Sequence, residues 1–252
     1  MADRYWVGGT GTWNSSSTAN WSAASGGASG ASAPTSSDNV FFNASSGTGT
    51  VTISYNVSCA SLDTTGVSAS LLFSPDAINV YGSLTLGSTT TLLAAIGFTI
   101  IMRSTTTGNT VSCTTATPII NQLLFGDSTG SVNTGGWSFT SSIIAKDILI
   151  YTGALNTNDQ TVTVGDRFGD FAASGSYSRQ LFLGASTINC GTVAVSTSGT
   201  ATQLGRFYSA YRTNVGINFN AGTSTINIGS VTNNTGTGFV GINTTQLLNQ
   251  SF

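Results

Sequence analysis

The chain has 252 residues, of which 39% are hydrophobic and only 6% charged, with seven Lys and Arg, nine Asp, no Glu and no His. That length predicts one or at most two domains, and a mean hydropathy of +0.17 argues against charge-driven disorder. A net charge of −2 with its few arginines scattered along the chain excludes a nucleic-acid footprint and a polybasic membrane surface.

The chain opens with "RYWVGGTGTWNSSSTANWS" (4–22), three tryptophans in a stretch of Gly, Ser, Thr and Asn. The start lacks a charged region followed by an apolar one, which predicts synthesis and folding in a cytoplasm without a signal peptide. "SAASGGASGASAPTSSDN" (22–39) reads as a loop, and Val40-Phe41-Phe42 as the first convincing strand. From Thr48 onward, short β-rich runs alternate with Gly, Asn, Asp and Ser. They are "GTVTISYNV" (49–57), "AINVYGSLTLG" (77–87), "GFTIIMRS" (97–104), "PIINQLLFG" (118–126), "SIIAKDILIYTG" (142–153), "QTVTVGD" (160–166), "RQLFLGASTINCG" (179–191) and "GINFNAGTSTINIGS" (216–230). In "TVTV" the valines fall on one face and the threonines on the other. The most apolar stretch, "TLLAAIGFTIIM" (91–102), falls short of the roughly 20 residues of a membrane span. Cys59, Cys113 and Cys190 are odd in number and far apart, so they read as small core residues.

Two short repeats stand out. Gly-x-Ser-Thr-Ile-Asn-x-Gly occurs at 184–191 and again at 222–229, and "SLDTTG" (61–66) resembles "GSLTLGS" (82–88). Repetition at 20–50 residues is the signature of stacked supersecondary units that cannot bury an apolar face alone. The composition therefore predicts an all-β fold, a single-stranded parallel β-helix (solenoid). Its parts are a Trp-rich N-terminal cap or docking segment over 1–47, a solenoid body over 48–241 and a C-terminal tail or cap over 242–252. The alternative is an antiparallel β-sandwich or jelly roll, weakened by the scarcity of Asn-Gly and Asp-Gly hairpin dipeptides.

The opening pattern, Gly9-Thr10-Gly11-Thr12-Trp13-Asn14, Asn20-Trp21-Ser22, Pro34 and Asp38-Asn39-Val40-Phe41-Phe42, resembles the opening segment of bacterial and phage β-helical surface proteins. "GALNTNDQTVTVG…RQLFLGASTINC" (153–190) is similar to repeats of phage virion proteins and to strand repeats of autotransporter adhesins; residues 90–140 match only in texture. The resemblance implies a right-handed parallel β-helix serving as a rigid, exposed structural or adhesive element, and it carries over no catalytic residue. Autotransporters need a signal peptide and a membrane barrel. The expectation is therefore a non-enzymatic phage virion protein, a capsid decoration or a tail or fibre component at the virion surface. Its expected partners are other virion proteins and further copies of itself, with a trimer as the expected oligomer.

Candidate chemistry is thin. Without His, Ser-His-Asp and Cys-His arrangements are impossible within one chain, zinc ligation is poor, and no calcium loop or phosphate-binding loop is present; no cofactor or metal is expected. "GDRFGD" (165–170), with Asp159 upstream, is the one acidic cluster. Asp166 and Asp170 in one extended strand lie about 13 Å apart, so a carboxylate pair for a polysaccharide depolymerase needs a turn or a neighbour such as Asp147. The plainer reading is turn residues with Arg167 or Arg179 pairing to Asp at the surface. Tyr177, Arg206, Phe207, Tyr208, Tyr211 and Arg212 interleave aromatic and guanidinium groups, as a contact for a host-surface glycan or a partner chain does. Trp6, Trp13 and Trp21 are assigned to a cap, and to the foot that seats the protein on its partner.

Overall fold

The computed structural model describes residues 1–67, 71–73, 77–92, 98–114, 120–126, 134–170, 178–191, 206–209 and 218–228. Among these there is no α-helix; one 3-10 turn spans Ala44–Ser46 and the ordered remainder is strand. Thr, Val, Ile and Phe dominate the strands because branched and aromatic side chains fit a pleated, half-buried surface.

The strands form three sheets. Sheet 1 has ten strands: Trp21–Ser22, Asp3–Trp6, Asn39–Phe41, Ser61–Asp63, Leu84–Leu86, Asn109–Cys113, Gly136–Phe139, Gly153–Asn156, Arg179–Phe182 and Asn218–Asn220, in that spatial order. Sheet 2 has four: Gly11–Trp13, Gly49–Ile53, Leu71–Phe73 and Thr90–Leu92. Sheet 3 runs from Val57–Cys59 through Ala77–Val80, Thr99–Met102, Ile120–Phe125, Ile143–Ile150, Thr161–Asp170 and Thr187–Cys190 to Thr225–Ile228, with Arg206–Ser209 also paired to Thr161–Asp170. Every pairing is parallel except that of Trp21–Ser22 with Asp3–Trp6. An antiparallel sandwich or jelly roll does not describe these residues.

Between Asn39 and Met102 the chain visits sheets 1, 2 and 3 in rotation, three times over. Each strand lies on the strand one circuit earlier: Leu62 pairs with Leu84, and the Asn79 amide reaches the Val57 carbonyl across 22 residues of chain. Later circuits vary, from the 18 residues between Trp137 and Leu155 to the 39 between Arg167 and Arg206.

Period-two alternation then stacks like on like. Val57, Ile78, Ile100, Leu123, Ile148 and Phe168 form one inward column of sheet 3, each at most 2% exposed. Val40, Leu62, Leu84, Val111 and Phe139 form the facing kind of column on sheet 1. Outward positions carry Thr, Ser and Asn, which bond along the ladder: the Asn39 amide donates to Asp3 and the Ser61 hydroxyl to Asn39.

Both repeats occupy adjacent strands. Thr187-Ile188-Asn189-Cys190 pairs in register with Thr225-Ile226-Asn227-Ile228, and the Asn227 amide donates to Asn189 at 2.8 Å. The preceding turns close with the same backbone hydrogen bond. Gln160 donates to the Thr157 carbonyl, Ser186 to Leu183 and Ser224 to Ala221, at 3.0, 3.0 and 3.1 Å. Within those turns Asn158, Gly184 and Gly222 take φ of 52°, 57° and 54°. A Cβ on Gly222 would collide with the Gly184 carbonyl of the circuit before it, so two successive turns nest only because glycine is there.

Strand structure begins earlier than the sequence reading placed it. Asp3–Trp6 already pairs with Asn39–Phe41, and Gly11–Trp13 with Gly49–Ile53. Gly, Ser and Asn flanking these pieces masked them, because their apolar partners stand 36–40 residues downstream and no local alternation announces them.

Candidate functional site

At the N-terminal end, strands Asp3–Trp6, Gly11–Trp13 and Trp21–Ser22 each turn an indole inward. Trp6, Trp13 and Trp21 are all 0% exposed and share the core with Phe42. Trp6 meets Trp21 edge-on at 5.1 Å and 85°, and Trp13 meets Trp21 at 5.2 Å and 74°, the geometry favoured by the ring quadrupole. The Trp6 Nε1 donates to the Gly9 carbonyl, whereas Trp13 and Trp21 Nε1 have no acceptor among the described residues. No indole face is open to a sugar.

Polar residues of the same motif hold that cluster shut. Asn20 donates to the Val7 carbonyl, and the Asn14 side chain accepts from the Ser16 and Ser17 amides. Asp38 accepts from the Ala2 amide, the Thr35 amide and the Thr35 hydroxyl, fastening the chain start to the Asn39–Phe41 strand. Burial pushes the Asp38 carboxyl up, but those bonds and the Arg4 charge overcome it and leave it below its ordinary 3.8.

The acidic cluster sits in sheet 3 at a bulge. Ala145 pairs with Val164 and Asp147 with Arg167, so Lys146 faces both Gly165 and Asp166. The bulge aims Asp147, 0% exposed in its side chain, at the guanidinium of Arg167. Arg167 Nε donates to Asp147 Oδ1 at 2.9 Å, its second nitrogen to Oδ2 at 2.8 Å, and its backbone amide to Oδ1 at 3.1 Å. Gln122 adds a longer bond at 3.4 Å and in turn accepts from Thr99. The bond to Asp147 raises the Arg167 pKa against the opposing effect of burial. Half-buried beside this pair, Tyr151 has its phenol pushed up, first by burial and then by Asp147 against the lowering effect of Arg167. Asp166 stands 4.0 Å from Arg167. The pairing foreseen between Arg167 and an aspartate is present, but it is buried and bidentate rather than a loose surface contact. Its geometry is that of a fixed ion pair: Asp147 accepts from charged and backbone donors on both carboxylate oxygens.

Of the aromatic and arginine residues assigned to partner or glycan contact, Tyr177, Tyr211 and Arg212 lie outside the described residues. Arg206, Phe207 and Tyr208 form the strand Arg206–Ser209, in register with Arg167, Phe168 and Gly169 of the neighbouring strand. The "RFYS" part of that motif is thus a strand of sheet 3. Its register position beside Phe168 was hidden from sequence reasoning because the two strands stand 39 residues apart.

The sequence reading passed over one aromatic pair. Tyr5 and Phe41, opposite each other on neighbouring strands, stack at 5.0 Å and 18° while only partly buried. Period two could have found it, since Trp6 and Val40 must point the other way. The three cysteines are buried and form no disulfide; burial raises the Cys59 thiol far above its usual range and pushes Cys190 up to about 12, so neither of these two is reactive. Comparison of the chain with protein-family models, with curated proteins and with solved structures returned no match.

Proposed function

We propose that this chain is a non-enzymatic structural protein of a phage particle, a single-stranded parallel β-helix with a Trp-rich cap, exposed at the virion surface as a capsid decoration or a tail or fibre component. The observation that carries this reading is the unbroken parallel ladder. Among the described residues, strand after strand lies one circuit on from the last, with a mainly apolar interior and outward Ser, Thr and Asn. A stack of this kind is stiff along its axis, because each circuit is hydrogen-bonded to the next over two or three sheets. The resemblance of the opening segment to phage β-helical proteins supplies the virion context. Asp147 and Arg167 are paired internally, and this favours a mechanical role over a catalytic one.

Gold-labelled antibody raised against the purified protein is the test. Applied to particles of the phage whose genome encodes the chain, it should decorate the capsid, tail or fibres in electron micrographs. Unlabelled particles, with the protein found only in the lysed-cell supernatant, would defeat the proposal. Association into a trimer follows the symmetry of virion appendages, and sedimentation equilibrium at the mass of a single chain would reject it.

A second reading, contact with a host-surface glycan, rests on Arg206 and Tyr208 standing two apart on one strand of sheet 3. Tyr208→Ala should then lower attachment to host cells without changing the melting temperature. Unaltered attachment would remove that reading.

A further inference from the structure

Near its N-terminal end the outer surface of sheet 1 departs from the pattern it keeps further along. The outward residues of the strands that follow are Ser61, Asp63, Thr85, Thr110, Ser112 and Ser138. The two strands before them present Tyr5 and Phe41 instead, stacked at 5.0 Å and 18° and only partly buried. These rings close no gap in the core, because Trp6 and Val40 of the same strands already fill it at 0% exposure. A cross-strand aromatic pair steadies its two strands, yet here it leaves apolar area in water on an otherwise polar face.

Two carboxylates frame the pair. Asp63 is in register with Phe41 on the next strand, and Asp3 precedes Tyr5 by two residues and so shares its face. Each uses one oxygen internally: Oδ1 of Asp3 accepts from the Asn39 amide at 3.0 Å, and Oδ1 of Asp63 accepts from the Thr65 amide and hydroxyl at 2.8 and 2.7 Å. These bonds hold both groups in place, and neither Oδ2 has a hydrogen-bond partner among the described residues. Arg4, the cation of these strands, is in register with inward-facing Val40 and is bonded to the Ser32 carbonyl and hydroxyl. The outward face here is therefore aromatic and anionic.

We infer that Tyr5 and Phe41, framed by Asp3 and Asp63, form the surface by which this protein seats on a neighbouring virion protein, and that the occupant is an arginine-bearing surface of that neighbour. A guanidinium is drawn to an aromatic ring by the ring quadrupole, and its planar fork donates to a carboxylate at the same time. Neighbouring strands stand about 4.8 Å apart and alternate residues of one strand about 6.6 Å, so a guanidinium seated on Phe41 has the Asp63 carboxylate beside it. Rigid aromatic anchors with a polar rim, here Asn39 and Ser61, are the make-up of a protein contact. The two acids disfavour the other occupants. Phosphate-bearing ligands meet like charge, and a two-fold contact between copies would set Asp3 and Asp63 against themselves. The inference rests on the virion reading and adds the attachment surface to it. The foot moves from the buried Trp6, Trp13 and Trp21 to the outer side of the neighbouring strands.

Photo-crosslinking in assembled particles tests it. With Phe41→p-benzoylphenylalanine, irradiation should join the chain to a different virion protein close to an arginine of that protein, and Ser138→p-benzoylphenylalanine on the same face should give no such product. Asp3→Arg/Asp63→Arg should lower the number of copies per particle at least about tenfold without changing the melting temperature. Crosslinks only to a second copy or to a glycan, equal crosslinking from position 138, or full occupancy by the charge-reversed variant would each overturn the inference. Particles that carry the protein but yield no adduct at position 41 leave the virion reading standing and remove this one; particles without the protein remove both. Should a substituted chain fail to fold, the unmodified protein decides, rebound to particles grown without its gene. Its binding should weaken at least about tenfold between about 50 and 500 mM NaCl, and binding indifferent to salt overturns the inference.

Discussion

Single residues at the N-terminal end show how a polar, glycine-rich stretch becomes an anchored part of the molecule. Trp13 packs against Trp21 and Phe42 with no exposed surface. Trp13→Ala should therefore cost about 3–5 kcal/mol, read as a lower melting temperature together with loss of the near-ultraviolet dichroism of the indole cluster. A variant equally stable but unable to attach to particles would make the indole a contact residue instead. Asp38 carries the pH dependence of this end. Its carboxyl titrates below the ordinary 3.8 in the folded chain, so the folded state binds fewer protons there than the unfolded state does. The stability it contributes is complete above the ordinary value and is lost as pH falls through 3.8 and then through the lower folded value. Asp38→Asn should lower stability at neutral pH and flatten the acid limb of a stability–pH curve, while leaving the most acidic region, where Asp38 is already protonated, comparatively unchanged. Parallel acid limbs would show that Asp38 does not set it.

At the level of strands and turns, the bulge in Thr161–Asp170 and the nested turns before Thr187 and Thr225 carry the specificity of register. Breaking the Asp147–Arg167 pair from one side leaves a charge in a largely dry site, a loss of about 3–5 kcal/mol for a buried pair. The 21% exposure of the Arg167 side chain points to the lower part of that range. Asp147→Asn should lower the denaturation midpoint accordingly, and Asp147→Leu/Arg167→Met should recover most of the loss; additive losses in the double variant would refute the coupling. In the turns, Gly222→Ala should destabilise by about 1–3 kcal/mol, from the left-handed backbone and the collision with the Gly184 carbonyl. Asn158→Gly, at the equivalent place one circuit before Gly184, should change the denaturation midpoint little, because asparagine there already accepts φ of 52°. Equal effects of the two substitutions would mean that nesting plays no part.

For the whole molecule, stability is built from neighbour to neighbour. Each strand bonds to the circuit before and the circuit after, and no described strand reaches across several circuits. Such a stack opens from its ends before its middle does. Hydrogen exchange in mild denaturant should release the amides of Gly11–Trp13 and Val57–Cys59, at the N-terminal edges of sheets 2 and 3, before those of Thr99–Met102 and Ile120–Phe125. Uniform protection that vanishes in one step would show instead that the stack unfolds as a unit.

Much of this was legible in the residues. The shortage of charge, the Thr/Val and Ser/Ile alternation and the recurrent Gly and Asn turns already require short half-buried strands, because period two is a local property of the backbone. The repeats at 184–191 and 222–229 named two strands that do lie side by side. Other features had no local signature. Asp3–Trp6 and Gly11–Trp13 became strands only through partners in a later circuit. Asp147 met Arg167 because one circuit is 20 residues long and bulged at Lys146. Sequence alone determined which residues face inward and where the chain turns, since both depend on side chains a few positions apart. Only the tertiary structure decided which strand lies on which, because neighbours are set by circuit lengths that range from 18 to 40 residues, and no local pattern records the length of a circuit.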